Sequence, residues 1–123
     1  MIRINDNEDS LGALTINRAA VVLQPTKLFL EWARHNPEGD PGLTLKELRE
    51  DTSVYLIPDV DEAPETYIER HYMEMFELEL ESWCTDESLW PEDLSFKAFK
   101  SFFNIRIHSI VFDLCEEPIS KES

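Results

Sequence analysis

PETYIERHYMEMFELELESW, residues 64–83, is the stretch around which the rest of the chain has to fold. At about 100° per residue its side chains divide between two faces, with Ile68, Tyr72, Met75, Phe76, Leu80 and Trp83 on one and Glu69, Glu74, Glu77 and Glu81 on the other. That periodicity predicts one long helix from about Pro64 to Trp83, and the acids at its start suit the positive end of a helix dipole. The apolar stripe requires a surface to cover it, and the flanking sequence supplies strands.

On the N-terminal side, residues 53 to 58 are β-branched and aromatic and close on Pro58, which reads as a short strand, and Asp59 to Pro64 is an acidic turn. Thr44-Leu45-Lys46-Glu47 is a capping box, with Leu43 and Leu48 placed as a hydrophobic staple, and it starts a short helix from Leu45 to about Glu50. Pro37 to Gly42 is a loop. Before it, Leu28, Phe29, Trp32 and Ala33 share one helical face while Lys27, Glu31, Arg34 and His35 point away. Residues 14 to 23 form a buried strand that stops at Gln24-Pro25. On the C-terminal side, a connector containing Trp90-Pro91 leads to Phe96, Phe99, Phe102 and Phe103 at helical spacing. Residues 105 to 115 then form a third strand, apolar on both faces at several positions and hence expected at the centre of the sheet. The expected fold is α+β in two layers: a small sheet of about three strands with the helices largely on one face, the long helix lying across it. Residues 1–12 and 116–123 read as flexible ends of a single domain over 13–115.

Charge narrows the partners. Of the 26 acidic residues, 13 lie between Pro58 and Asp93, where Arg70 is the single lysine or arginine, and the whole chain carries a net charge of -15. A surface dominated by carboxylates repels phosphate backbones and anionic headgroups, which argues against direct nucleic-acid or membrane-surface binding. The longest apolar run, Ala19 to Leu23, is far too short to cross a bilayer, and the polar, acidic start does not resemble a secretory signal. A cytoplasmic protein is expected. Cys84 and Cys115 lie in no paired motif and read as buried, reduced thiols.

Asn17-Arg18, Tyr55-Leu56-Ile57-Pro58, Glu77-Leu78-Glu79-Leu80, Asp86-Glu87-Ser88-Leu89-Trp90-Pro91 and the run from His108 to Leu114 together resemble a group of short, acidic bacterial proteins that carries no assigned activity. The resemblance spans about residues 14 to 115. It implies a bacterial, cytoplasmic, self-contained domain and brings no cofactor or catalytic residue with it.

One residue breaks the stripe. Glu79 falls within about 20° of both Ile68 and Tyr72, so a carboxylate is expected to point toward the core, where it must find a cation, hydrogen bonds or a proton. Arg106 and His108 share one face of the third strand and Arg18 lies on the first, so these are its expected partners in a buried polar cluster. Such a cluster serves either as a cross-link that fixes the helix register or as a pocket with acid-base work. Other chemistry has little support. Ala63 and Pro64 interrupt the calcium-loop pattern begun by Asp59-Val60-Asp61, His71 and Glu74 give one half of a di-iron motif, and no glycine cluster forms a phosphate loop. No metal or cofactor is expected. The functional expectation is therefore a non-catalytic, adaptor-like or immunity-like interaction module, in which Glu69, Glu74, Glu77 and Glu81, with exposed Trp90 as apolar anchor, bind a basic protein. The alternatives are a small enzyme or ligand-binding protein using Glu79, Arg106 and His108, and a nucleic-acid mimic.

Overall fold

In the computed structural model, which describes residues 14–59 and 62–122, three antiparallel strands form one layer and the helices pack against a single face of it. The strands are β1 (Arg18–Pro25), β2 (Val54–Pro58) and β3 (Phe103–His108), in the order β2-β1-β3. The helices are α1 (Lys27–His35), α2 (Leu45–Glu50), α3 (Pro64–Glu81) and α4 (Phe96–Phe102), with a 3-10 turn at Glu87–Leu89. This is the α+β architecture that the periodicities predict. Residues 1–12 lie outside the described residues; residues 116–122 are exposed and form no regular element.

Strand parity separates the two sheet faces. Ala19, Val21, Leu23 and Pro25 of β1 are buried beneath the helices, and the residues between them face outward. In register, Val21 lies between Tyr55 and Ile107, and Ala19 opposite Ile57, which gives the inner face a continuous apolar surface. The core is aromatic: Phe29, Phe76, Phe99 and Phe103 are almost completely buried and meet edge-on or tilted at 5.1 to 6.1 Å.

Local signals account for the helix ends. Thr44 accepts from the Glu47 amide while Glu47 accepts from the Thr44 amide, and Leu43 and Leu48 are both buried, so the capping box and its staple are formed. Pro64 opens α3 at its first turn, where a missing amide hydrogen costs nothing. Ser95 caps α4 by accepting from the Ala98 amide. Thr26, ahead of α1, instead donates its hydroxyl to the Ser101 carbonyl at 2.7 Å and its amide to Phe102, which ties the start of α1 to the end of α4.

Several details depart from the sequence expectations. β1 and not β3 is central, because both outer strands pair with it and the outer-face residues of β3 are Asn104, Arg106 and His108. β3 ends at His108, beyond which a lone bridge joins Thr15 and Phe112 and leaves Ile110, Phe112 and Leu114 exposed. In α1, Leu30 is buried and Leu28 is exposed, which rotates the inward face by one position. Cys84 is buried but Cys115 is exposed.

Gly39 occupies a close approach. A Cβ built on it would lie 2.1 Å from the Ala33 carbonyl oxygen, inside any allowed contact. The Gly39 amide donates to the Asn36 carbonyl at 2.8 Å, and Asn36 in turn donates its side-chain amide to Trp83. Gly39→Ala is expected to lower stability by about 2 kcal/mol, read as a shift in the urea midpoint at unchanged slope, because backbone rather than a flexible side chain must yield.

Candidate protein-docking face

The outward face of α3 is built by the spacing that builds its inward one. Ile68, Met75, Phe76 and Leu80 are buried, so Glu74, Glu77 and Glu81 on the far side emerge into solvent, while Glu69, also exposed, stands at the margin of this face and with Glu65 borders a hollow lined by Ile68, Phe96, Lys100 and Ile105. Glu69, Glu77 and Glu81 have no ion-pair partner among the described residues; Glu74 has only the His71 imidazole, at 3.8 Å. Arg70, the one arginine of the helix, is engaged by Glu62. Met73 and Leu78 emerge among these carboxylates, with Leu78 55% exposed, so the face mixes acid with apolar surface.

Trp90 lies beside the end of this face. It is half-buried rather than exposed as the sequence suggested, because its indole nitrogen donates to the Cys84 carbonyl at 2.8 Å and its ring packs against the core. What remains open forms one wall of a shallow hollow of about 210 Å³ whose other walls are Glu77, Glu81, Thr85 and Glu87. Glu87 carries no signal of its own in the sequence, since its position follows from the turn that Asp86 caps. The Asp86 carboxylate accepts from the hydroxyl and the amide of Ser88, and these bonds hold its carboxyl below the ordinary range.

The expected cluster around Glu79 does not assemble. Glu79 reaches the sheet from the helical side, half-buried, and accepts a 2.5 Å hydrogen bond from the Tyr55 hydroxyl on β2. Arg18, Arg106 and His108 are exposed on the opposite face of the sheet, which follows from strand parity: Arg106 pairs with Val22, and His108 with Ala20, both outward-facing. The acid-base arrangement that joined Glu79 to His108 and an arginine is therefore interrupted by the sheet itself. Glu79 does border a hollow of about 570 Å³, with Phe29, Trp83, Glu47 and Asp51, but Glu47 is committed to the capping box and Glu79 to Tyr55. Among the described residues no group of three or more histidine, cysteine or acidic side chains is arranged to hold a metal ion.

Burial and the bond to Glu79 push the Tyr55 hydroxyl far above its ordinary pKa of 10.0. The unfolded chain releases this proton near pH 10 and the folded protein retains it, so this contribution to stability is complete below pH 10 and declines as pH rises beyond it. Tyr55→Phe leaves a half-buried carboxylate without its donor and is expected to cost about 1–2 kcal/mol at neutral pH. Glu79→Gln, which keeps an acceptor, should cost less. Urea titrations of both variants at neutral and alkaline pH check the order and the loss of the alkaline slope in Tyr55→Phe.

No helix among the described residues is long and apolar enough to cross a membrane. Comparison with protein-family models, with curated proteins and with solved structures finds no match to this chain, so the face of α3 is read on its own geometry.

Proposed function

We propose that this protein is a non-catalytic cytoplasmic docking module whose α3 face, from Glu69 to Glu81 and ending at Trp90, binds a basic amphipathic segment of a partner protein. The observation that carries this reading is the placement of the acids against the interests of their own helix. Glu77 and Glu81 stand in the last turns of α3, where no basic residue faces the negative end of the dipole, and they repel one another at i,i+4 spacing. A surface needed only for solubility has no reason to concentrate carboxylates there. Lysines or arginines from a partner would relieve both penalties, while Leu78, Met73 and the open wall of Trp90 supply apolar area between the charges.

The test is a fluorescently labelled helical peptide with leucines along one face and lysines bordering them, titrated with the intact protein. Raising ionic strength from about 0.05 to 0.5 M shortens the Debye length from roughly 14 to 4 Å and should weaken binding at least about tenfold. Affinity that is indifferent to salt, or undiminished when Glu69, Glu74, Glu77 and Glu81 are all glutamine, would remove this reading.

A further inference from the structure

The outer face of the sheet inverts the charge of the molecule. Its rows are set by register: Leu56, Ala20 and His108; Val54, Val22 and Arg106; Pro58 and Arg18; Gln24 and Asn104. No carboxylate stands among them, in a chain that has 26 acidic residues against 11 lysines and arginines. The four helices described, α1 to α4, pack on the inner face, and Val54 and Leu56 are 60% and 45% exposed. The cations are also unspent. Arg106 and His108 have no hydrogen-bond or ion-pair partner among the described residues, and the Arg18 guanidinium binds only the carbonyl and side-chain oxygens of neighbouring Asn17. Arg34 and Arg49, on the helical side, also lack a carboxylate, but each donates to a carbonyl elsewhere in the chain, Leu43 and Pro25, whereas Arg106 and His108 stand free beside the exposed valine and leucine.

We infer that this face is a second docking surface, which takes a single acidic amphipathic helix from a partner protein, its apolar stripe on Val22, Val54 and Leu56 and its carboxylates on Arg18, Arg106 and His108. Size and charge select this occupant. Eight residues of β1 extend about 26 Å at about 3.3 Å each, and three strands about 4.8 Å apart give a width near that of one helix, about 10–12 Å. A face of that size is smaller than the roughly 800 Å² per partner of a stable dimer, whereas one helix covers it and converts two layers into three. A basic or purely apolar segment would leave both arginines desolvated without partners, which is the costly arrangement. The two faces lie on opposite sides of the molecule and prefer opposite charges.

The test uses two helical peptides of about 18 residues, the length of α3, each with a leucine stripe, bordered by glutamates in one and by lysines in the other. At an ionic strength of about 0.15 M the Debye length of roughly 8 Å screens the net charge but leaves local pairs. The glutamate peptide should bind the wild type and lose at least about tenfold with Arg18→Glu and Arg106→Glu together, a lesser amount with Leu56→Thr, and be indifferent to Glu77→Lys. The lysine peptide should respond in the opposite way, so failure of one face leaves the other standing. Equal binding of the glutamate peptide to wild type and the double arginine variant, or no binding to either, overturns the inference. Two further results assign the face to another occupant and also overturn it. One is wild-type self-association in sedimentation velocity that Arg106→Glu abolishes. The other is tighter peptide binding after Asp6→Asn, Glu8→Gln and Asp9→Asn, which gives the face to the chain's own N-terminal residues.

Discussion

Phe76→Ala is expected to lower the stability of this protein by about 4 kcal/mol, a large part of the 5–15 kcal/mol typical of a domain. Phe76 is fully buried at the middle of α3, and its ring meets Phe99 at 5.4 Å, Phe102 at 5.7 Å and Phe103 at 6.1 Å, each edge-on. Phe99 and Phe102 belong to α4 and Phe103 begins β3, so one side chain joins the long helix to α4 and to the sheet. Truncation removes the transfer energy of the ring and its edge contacts together. The neighbours cannot collapse into the space, because Phe99 is also held by Tyr72 and Phe103 by Phe29. Phe76→Leu restores most of the volume without the edge geometry and should cost about 1–2 kcal/mol. Urea denaturation followed by circular dichroism and by tryptophan fluorescence measures both. A loss below about 1 kcal/mol for alanine would mean that α3 does not lock onto α4 and the sheet through this ring.

The aromatic spacing that makes Phe76 central was legible in the sequence, and so were the elements it joins. Residues that signal through their immediate neighbours were placed correctly: the Thr44 capping box, the prolines that bound β1 and β2, and the 3.6-residue stripe of α3. What sequence did not convey depends on relations between elements. Apolar content in residues 105–115 suggested a central strand, but its exposed isoleucine, phenylalanine and leucine lie past the end of β3, and the strand itself is polar on its outer side. Arg106 and His108 were correctly placed on one face; which face the helices cover is a decision of chain topology that alternation alone leaves open. Glu79 does lie between Ile68 and Tyr72 around the helix and does point toward the sheet, but the strand it meets there is β2, whose Tyr55 hydroxyl satisfies it, and which strand a helical residue meets is again a matter of topology. The signal that could have identified Tyr55 as its partner was present, since that hydroxyl sits on a strand otherwise made of aliphatic residues and proline.

Charge reversal on α3 is expected to move binding and stability in opposite directions. Converting Glu69, Glu74, Glu77 and Glu81 to lysine should weaken the lysine-bordered peptide by about a hundredfold or more, since exposed ion pairs contribute about 0.2–1 kcal/mol each and reversal replaces attraction with repulsion at four positions. The same positions govern helix stability through a different sum. Glu81 stands in the last turn of α3, whose terminus has no basic residue, and it lies four residues after Glu77. Glu81→Lys therefore replaces a like-charge pair with the favoured Glu-to-Lys order and sets a cation at the negative end of the dipole, for a gain of about 1 kcal/mol. That single substitution should raise the urea midpoint while weakening the peptide several-fold. A face kept acidic only for solubility would show the gain in stability with no loss of binding, because nothing in the folded molecule depends on that carboxylate. Loss of both together would instead show that Glu81 holds the hollow beside Trp90 in shape, which Trp90 fluorescence reports independently of the peptide. The combination of a stabilised helix and a weakened complex is the signature of acids retained for a partner at the expense of the fold.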